Sequence, residues 1–219
     1  MKLRACLIAI CTLVIISANA QFRGGIQLNG LKLPSSAGNY ATSFGPGIDF
    51  SWSPDESRTD FFFNGAYFLP SKSVTTGYVS SGNSQAQATL TQKTSFIGLG
   101  LGGRYFFMDR EERDFNAYAT ASANLLLGNT KASYSSIPQG YEPYYNDGAS
   151  GNTHQVMISI GVGAEYRVAE TGAVFIEAQY RFPTGTYNSR TGYDGDLQIP
   201  GHPWFSVGYK FSFGGGGGY

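Results

Sequence analysis

Apolar and polar residues alternate over residues 153–182, and this alternation predicts a long β-hairpin. The apolar positions are even-numbered from Val156 to Val168 and again from Val174 to Phe182. Small or polar residues dominate the odd positions, and Met157 is the one apolar exception in the first arm. A period of two places successive side chains on opposite faces of a strand. Each arm is therefore a strand with one apolar and one polar face.

The turn of this hairpin must contain an odd number of residues, because the apolar positions are even-numbered on both sides of it. The segment Glu170-Thr171-Gly172 fits a three-residue loop. Such loops place a glycine at a left-handed backbone position, and we expect Gly172 to take it.

The same alternation predicts eight strands in the chain. The hairpin supplies the sixth and seventh. The remaining six are expected at Phe22 to Leu33, Tyr40 to Trp52, Arg58 to Leu69, Ala86 to Phe107, Asp114 to Leu127 and His202 to Phe213.

Short and long connections alternate between these strands. Residues 53–57, 108–113 and the 170–172 turn are short, whereas residues 70–85, 128–152 and 183–201 form longer connections that we expect to be loops. In an up-and-down barrel every second connection lies at the same end, so the short turns share one rim. Short periplasmic turns and longer external loops are typical of outer-membrane barrels.

The first twenty residues predict a cleaved signal peptide. Lys2 and Arg4 precede an apolar run that ends in Ala18-Asn19-Ala20. Both cysteines lie in this segment, so the rest of the chain has no disulfide and no thiolate metal site. We therefore divide the chain into a signal peptide (1–20), a barrel domain (21–213) and a flexible glycine-rich tail (214–219).

The composition favours a membrane barrel over a soluble domain. Charged residues make up 14% of the chain, against about 25% in soluble domains. No apolar run after the signal peptide reaches the roughly 18 residues of a transmembrane helix. The balanced formal charge gives no basic patch for a nucleic-acid partner.

Alternation alone leaves two orientations open. A soluble lipocalin-type carrier would turn its apolar face inward, but its outer face would then need many charges for solubility. Here the polar face is mostly Gly, Ser, Asn, Gln and Thr, which suits a narrow barrel interior. Buried charges must be paired, so we expect an ion-pair network that closes the lumen, formed by Arg23, Asp49, Arg104, Glu165, Arg167, Glu177, Arg181 and Lys210.

Aromatic residues cluster near the strand ends, where interfacial girdles lie in membrane barrels. The candidates are Trp52, Phe61, Tyr105, Phe106, Phe107, Tyr180, Phe182 and Trp204.

The last strand carries alternating aromatic and apolar residues at Phe205, Val207, Tyr209, Phe211 and Phe213. With the signal peptide and the eight alternating strands, the chain resembles the small outer-membrane β-barrel family, which includes OmpA-like and OmpX-like barrels and the barrel domains common in Bacteroidetes. The resemblance implies an all-β, eight-stranded, antiparallel up-and-down transmembrane barrel in a Gram-negative outer membrane. It also implies insertion by the barrel-assembly machinery, which reads a terminal phenylalanine. Here six further residues follow Phe213, which departs from the family pattern.

The sequence offers no clear catalytic, cofactor or metal site. His154 and His202 lie at external strand ends without the neighbouring serine and carboxylate of a hydrolase, and we interpret both as interfacial polar residues. The external loops are better candidates for function, because exposed tyrosines among Ser, Gly and Asn suit contact surfaces. The candidate contact residues are Tyr134, Tyr141, Tyr144, Tyr145, Tyr187 and Tyr193.

These features favour a non-enzymatic function. We expect an outer-membrane barrel with a structural or surface-interaction role, in contact with outer-membrane lipid and lipopolysaccharide, and with an external ligand that the sequence does not identify. Two alternatives remain open: a narrow, porin-like channel or accessory subunit of an envelope transport machine, and a lipid-modifying enzyme at the outer leaflet.

Overall fold

The computed structural model describes residues 21–34, 40–54, 58–110, 113–143, 151–189 and 201–213. The expected signal peptide and the glycine-rich tail lie outside these ranges. No helix long and apolar enough to cross a membrane occurs in the part of the chain that the structure describes.

Eight long antiparallel strands form a closed barrel, as predicted, and a two-residue strand lies outside it. The strands are β1 (Gln21–Pro34), β2 (Tyr40–Ser53), β3 (Thr59–Ser81), β4 (Ser84–Phe106), β5 (Phe115–Ser135), β6 (Glu142–Pro143), β7 (Gly151–Ala169), β8 (Gly172–Ser189) and β9 (His202–Phe213). Each long strand pairs with its neighbours along the chain, and β1 closes the barrel by pairing with β9 from Phe22–Phe213 to Leu31–Trp204. The short strand β6 pairs with the outer part of β3.

The apolar face of the strands points outward. Ile158, Ile176 and Val207 are 52%, 61% and 50% exposed, whereas Glu177 on the opposite face of β8 is 5% exposed. The exterior is therefore an apolar belt and the interior is polar. This orientation rules out the lipocalin-type alternative, in which the same apolar residues would fill the centre.

Five strands continue beyond the apolar belt on the side of the long connections. β7 and β8 stay paired as far as Asn152–Ser189, so residues 183–189 of the predicted 183–201 loop are strand.

β3, β4 and β5 form a second extension. The prediction of a loop at residues 70–85 is wrong, because β3 and β4 pair as far as Ser81–Ser84 and turn at Gly82, which has a positive φ of 57°. β5 stays paired with β4 up to Ser135. We call this three-stranded extension, residues 71–94 and 128–135, the external sheet. The external parts of β3 and β5 escaped prediction because Ser, Thr, Gly and Ala leave little apolar alternation to detect. The predicted fourth strand, in contrast, already included residues 86–94 of β4.

The β7–β8 turn differs from the predicted three-residue loop. The strands end at the Ala169–Gly172 pair, and a register shift at Val168 supplies the extra residue that keeps the apolar face continuous. Gly172 does not have a positive φ. It is required for space, since a Cβ there would lie 1.7 Å from the Tyr209 hydroxyl oxygen.

The aromatic girdle is only partly where the sequence placed it. Phe61, Tyr105, Phe107, Tyr180 and Phe182 are exposed on the exterior, and Trp52 stacks on Phe61 with ring centroids 5.3 Å apart. Phe106 and Trp204, by contrast, are 0% and 2% exposed and lie inside the barrel. Those two assignments were wrong because interior aromatics are needed to fill the lumen.

Candidate functional site

The barrel interior is the most highly organised part of the molecule. The inward-facing residues of the eight strands meet in two layers, one charged and one apolar. The charged layer lies toward the rim with the short turns, and the apolar layer lies toward the external sheet.

Arg104 is the centre of the charged layer. Its side chain is 1% exposed, and it donates to Asp49 through both terminal nitrogens, Nη2 to Oδ2 at 2.8 Å and Nη1 to Oδ1 at 3.3 Å. Its Nε donates to Glu177 Oε2 at 2.9 Å. The guanidinium also lies 4.0 Å from the centroid of the Phe62 ring. One arginine therefore joins carboxylates from β2 and β8 across the lumen, which fixes the barrel's cross-section.

Arg110 forms a second cluster closer to the short-turn rim. It lies in the turn after β4 and folds inward, where Nη1 donates to Asp60 Oδ1 at 2.5 Å and Nε donates to Glu165 Oε1 at 3.1 Å. Glu165 Oε1 also accepts from Arg23 Nη1 at 3.2 Å. The side chain of Arg110 thus closes the end of the lumen at the short-turn rim.

Lys210 links the two clusters. Its Nζ lies 3.9 Å from Asp49 Oδ1 and 3.9 Å from Glu165 Oε2, and 4.5 Å from the centroid of the Phe175 ring. These contacts join four carboxylates to four cations, so the formal charges cancel. Such a balance is what makes buried charges tolerable in a low-dielectric interior. The eight residues, here called the ion-pair layer, are Arg23, Asp49, Asp60, Arg104, Arg110, Glu165, Glu177 and Lys210.

This layer overlaps the sequence-derived set without matching it. Arg167 donates to the backbone carbonyl of Arg110. Arg181 lies apart, with its guanidinium carbon 3.2 Å from the centroid of Trp204; it forms no salt bridge with a carboxylate in the described residues. Asp60 was missed although it sits on the inward parity of β3, and Arg110 was missed because a turn residue carries no periodic signal.

Small polar residues connect the ion-pair layer to the apolar one. Glu177 Oε1 accepts from Gln179 Nε2 at 2.6 Å, and Gln179 Oε1 accepts from Ser159 Oγ at 2.9 Å. Asn124 Nδ2 donates to Ser159 Oγ at 3.0 Å. The chain of hydrogen bonds crosses from β8 to β5 and leaves no room for a wide passage.

An apolar layer fills the lumen above these residues. Its members are apolar residues at inward-facing positions of their strands, and Phe68 packs edge-on against Trp204 with ring centroids 4.6 Å apart. Met157 is fully buried among them, which explains an apolar residue on an otherwise polar face. The layer consists of Leu31, Ala66, Phe68, Phe96, Leu126, Met157 and Trp204.

The lumen contains little free space near the short-turn rim. A cavity of about 20 Å³ lies between Arg23, Glu165 and Lys210, which is enough for roughly one water molecule. Large inward side chains require glycines opposite them. A Cβ at Gly163, for example, would lie 2.3 Å from Cζ of Tyr118.

The external tyrosines are only partly described. Tyr134 is half-buried, and its ring lies against Gly77 of β3, where an added Cβ would be 2.6 Å from Cε1. Tyr141 is also half-buried. Tyr144, Tyr145 and Tyr193, and the side chain of Tyr187, lie outside the described part of the structure. On the external sheet, Val74 and Tyr78 are each 56% exposed and were not anticipated.

The two histidines differ in position. His154 is exposed, whereas His202 is 1% exposed and faces the lumen, beside Arg181 in the β8–β9 register. The interpretation of His202 as an interfacial residue was therefore wrong. Among the described residues, no group of three or more His, Cys, Asp or Glu side chains is placed to hold a metal ion.

Comparison with known proteins identifies the fold. No protein-family model matches the sequence, and no curated protein matches it by sequence. Neisserial surface protein A is similar in structure, with a TM-score of 0.58 and 13% identity over 89% of this chain and 99% of that one. A major outer membrane protein from Thermus thermophilus has a TM-score of 0.56 and 11% identity, again over 89% and 99%. The chain thus has the fold of the small OmpA/OmpX-like outer-membrane barrels.

Proposed function

We propose that this barrel is an integral protein of a bacterial outer membrane with a structural and surface-contact role and no enzymatic activity. Its body anchors the chain in the lipid, and its external sheet meets the surroundings of the cell. Outer-membrane lipid is the partner of the belt, and the barrel-assembly machinery is the partner during insertion.

One observation carries this proposal: the side chains are sorted by chemistry in the opposite way from a soluble protein. Ile176 is 61% exposed while Arg104 is 1% exposed. Large apolar patches on a surface mark a membrane or a partner. Here the apolar surface surrounds the barrel, so a lipid bilayer is the environment that matches it.

The filled lumen favours the structural role over a channel. A channel needs a continuous polar path, yet Phe68, Leu126 and Met157 are each 0% exposed inside the barrel. Below them the ion-pair layer ties opposite walls together. A similar argument supports a contact role for the external sheet, since its strands extend beyond the apolar belt and expose Val74 and Tyr78.

The proposal is tested by refolding the purified chain into lipid vesicles. We expect heat-modifiable gel migration, the behaviour of a barrel that stays folded in detergent until boiled. Protease added outside the vesicles should cut the external sheet and spare the barrel. A chain that remains monomeric and water-soluble without detergent would contradict the membrane role.

Planar-bilayer conductance separates the structural barrel from the channel. We expect no conductance above the bare bilayer, with a known porin as the positive control. Reproducible single-channel steps would favour the channel instead. Mass spectra of lipid A from cells with and without the protein test the enzymatic alternative, and we expect them to be identical.

A further inference from the structure

Three lysines stand side by side across the external sheet. Lys72 of β3 is directly opposite Lys93 of β4, and Lys93 is directly opposite Lys131 of β5. Residues directly opposite in an antiparallel pair have Cβ atoms about 4.5–5.5 Å apart. The three side chains, here called the lysine row, therefore start within about 10 Å of one another.

All three lysines point to the outside of the molecule. Each is exposed, and each lies on the same face of its strand as the lipid-facing residues below it: Leu69 on β3, Ile97 on β4 and Leu127 on β5. On β3, Leu69 and Lys72 are three residues apart and would face opposite sides of a regular strand. The one-residue register shift between Phe68 and Ser71 brings them to the same face. The lysine row is thus continuous with the apolar belt.

Nothing in the described structure neutralises the lysine row. None of the three forms a salt bridge with a described residue, and the external sheet contains no Asp or Glu. Like charges placed directly opposite in a sheet destabilise it. An external anion lying against the row would offset the repulsion between its ammonium groups.

The height of the row identifies the source of that anion. Lys93 and Lys131 are four residues beyond Ile97 and Leu127, which corresponds to about 10 Å along the membrane normal for tilted strands. Lysine stems reach several ångströms back toward apolar surface while the ammonium stays with polar groups. With Ile97 and Leu127 at the edge of the hydrocarbon core, a lysine side chain that reaches back toward the belt places its ammonium group in the headgroup layer, which adds roughly 5–7 Å to each side of the core.

We propose that the lysine row is a binding site for phosphate groups on lipids of the outer leaflet. The inference rests on the proposed membrane placement and adds a defined site to it. Three ammonium groups in a line suit a lipid with more than one phosphate, because each phosphate can then contact two neighbouring lysines.

The test compares binding of diphosphorylated lipid A and of phosphate-free lipid A with the same acyl chains, both in detergent micelles. The wild-type barrel should prefer the diphosphorylated form. Near an anionic membrane surface each lysine contributes about fivefold to affinity, so the triple variant K72Q/K93Q/K131Q should lose about 100-fold. The K72R/K93R/K131R variant keeps the charge and should retain the preference.

Heat-modifiable migration of every variant shows that the barrel is folded, and failure of the wild type to insert would count against the membrane role rather than the site. A folded K72Q/K93Q/K131Q variant that still prefers diphosphorylated lipid A would overturn the proposal. So would loss of the preference in the arginine variant. Equal binding of a soluble sulfated polysaccharide, with competition against the lipid, would show that the row recognises free polyanions rather than lipid.

Discussion

Replacing Arg104 should destabilise the barrel more than any surface change. Arg104→Met removes three charge-assisted hydrogen bonds and leaves Asp49 and Glu177, whose side chains are 1% and 2% exposed, without their main partner. Removing one partner of a buried ion pair costs about 3–5 kcal/mol. Lys210, 3.9 Å from Asp49, offsets part of this, so we expect a loss of about 3 kcal/mol.

A second substitution separates the effect of the unbalanced charge from the effect of losing the arginine side chain. In R104M/E177Q one cation and one carboxylate are removed together, so three carboxylates again face three cations, and the hydrogen bond between positions 177 and 179 can persist. Part of the loss should return, about 1–2 kcal/mol, since neutral replacements of buried pairs are tolerated better than broken pairs. Arg58→Met, at an exposed position on the short-turn rim, should stay within about 0.5 kcal/mol of wild type.

The assay is urea unfolding and refolding in lipid vesicles, followed by tryptophan fluorescence and converted to free energy with the wild-type slope. An R104M variant within about 1 kcal/mol of wild type would refute the reasoning, because the ion-pair layer would then contribute little. A double variant clearly less stable than R104M would refute the charge-balance argument specifically.

Two further substitutions test the belt and the interior. Ile176→Lys places a charge in the apolar belt and should lower the free energy of unfolding in vesicles by about 2–4 kcal/mol. The control Thr76→Lys, on the exposed face of the external sheet, should change that free energy by less than about 0.5 kcal/mol. Equal losses in the two variants would argue against the belt. Gly161→Ala should lower the urea midpoint of unfolding, because the new Cβ would lie 2.2 Å from the Ala178 carbonyl oxygen. The control Gly65→Ala meets only ordinary contacts at 3.7 Å and should lower the midpoint less. Similar midpoints for the two variants would contradict the close packing.

The barrel could be predicted because its strands alternate apolar and polar side chains with a period of two. Lipid on one side and a polar lumen on the other force a period of two on every spanning strand, and the His202–Phe213 strand follows it with bounds that the structure reproduces. The external sheet lacks this constraint, since it extends beyond the apolar belt and its outward positions are mostly polar. Residues 70–85 therefore looked like a loop although their backbone is paired with β4 from Ser71 to Ser81.

The interior was predictable in kind but not in detail. Inward carboxylates and arginines had to be paired, yet which pairs form depends on the stagger between strands that are distant in sequence, as for Arg104 and Asp49. Arg110 enters from a turn, where no alternation exists. Phe68 and Trp204 are apolar but point inward, because the lumen toward the external sheet is filled with apolar side chains. The residue pattern of a single strand does not distinguish such an interior aromatic residue from one in an exterior girdle.

The orientation of the two tryptophans tests the central claim most directly. Trp52 lies on the exterior beside Phe61, and Trp204 lies inside, 2% exposed. Each can be studied alone, in the variants W204F and W52F, after refolding into vesicles whose acyl chains carry bromine, a contact quencher of indole fluorescence. We predict strong quenching of Trp52 and almost none of Trp204. Equal quenching of both, or stronger quenching of Trp204, would contradict a barrel that turns its apolar face to lipid and fills its own centre.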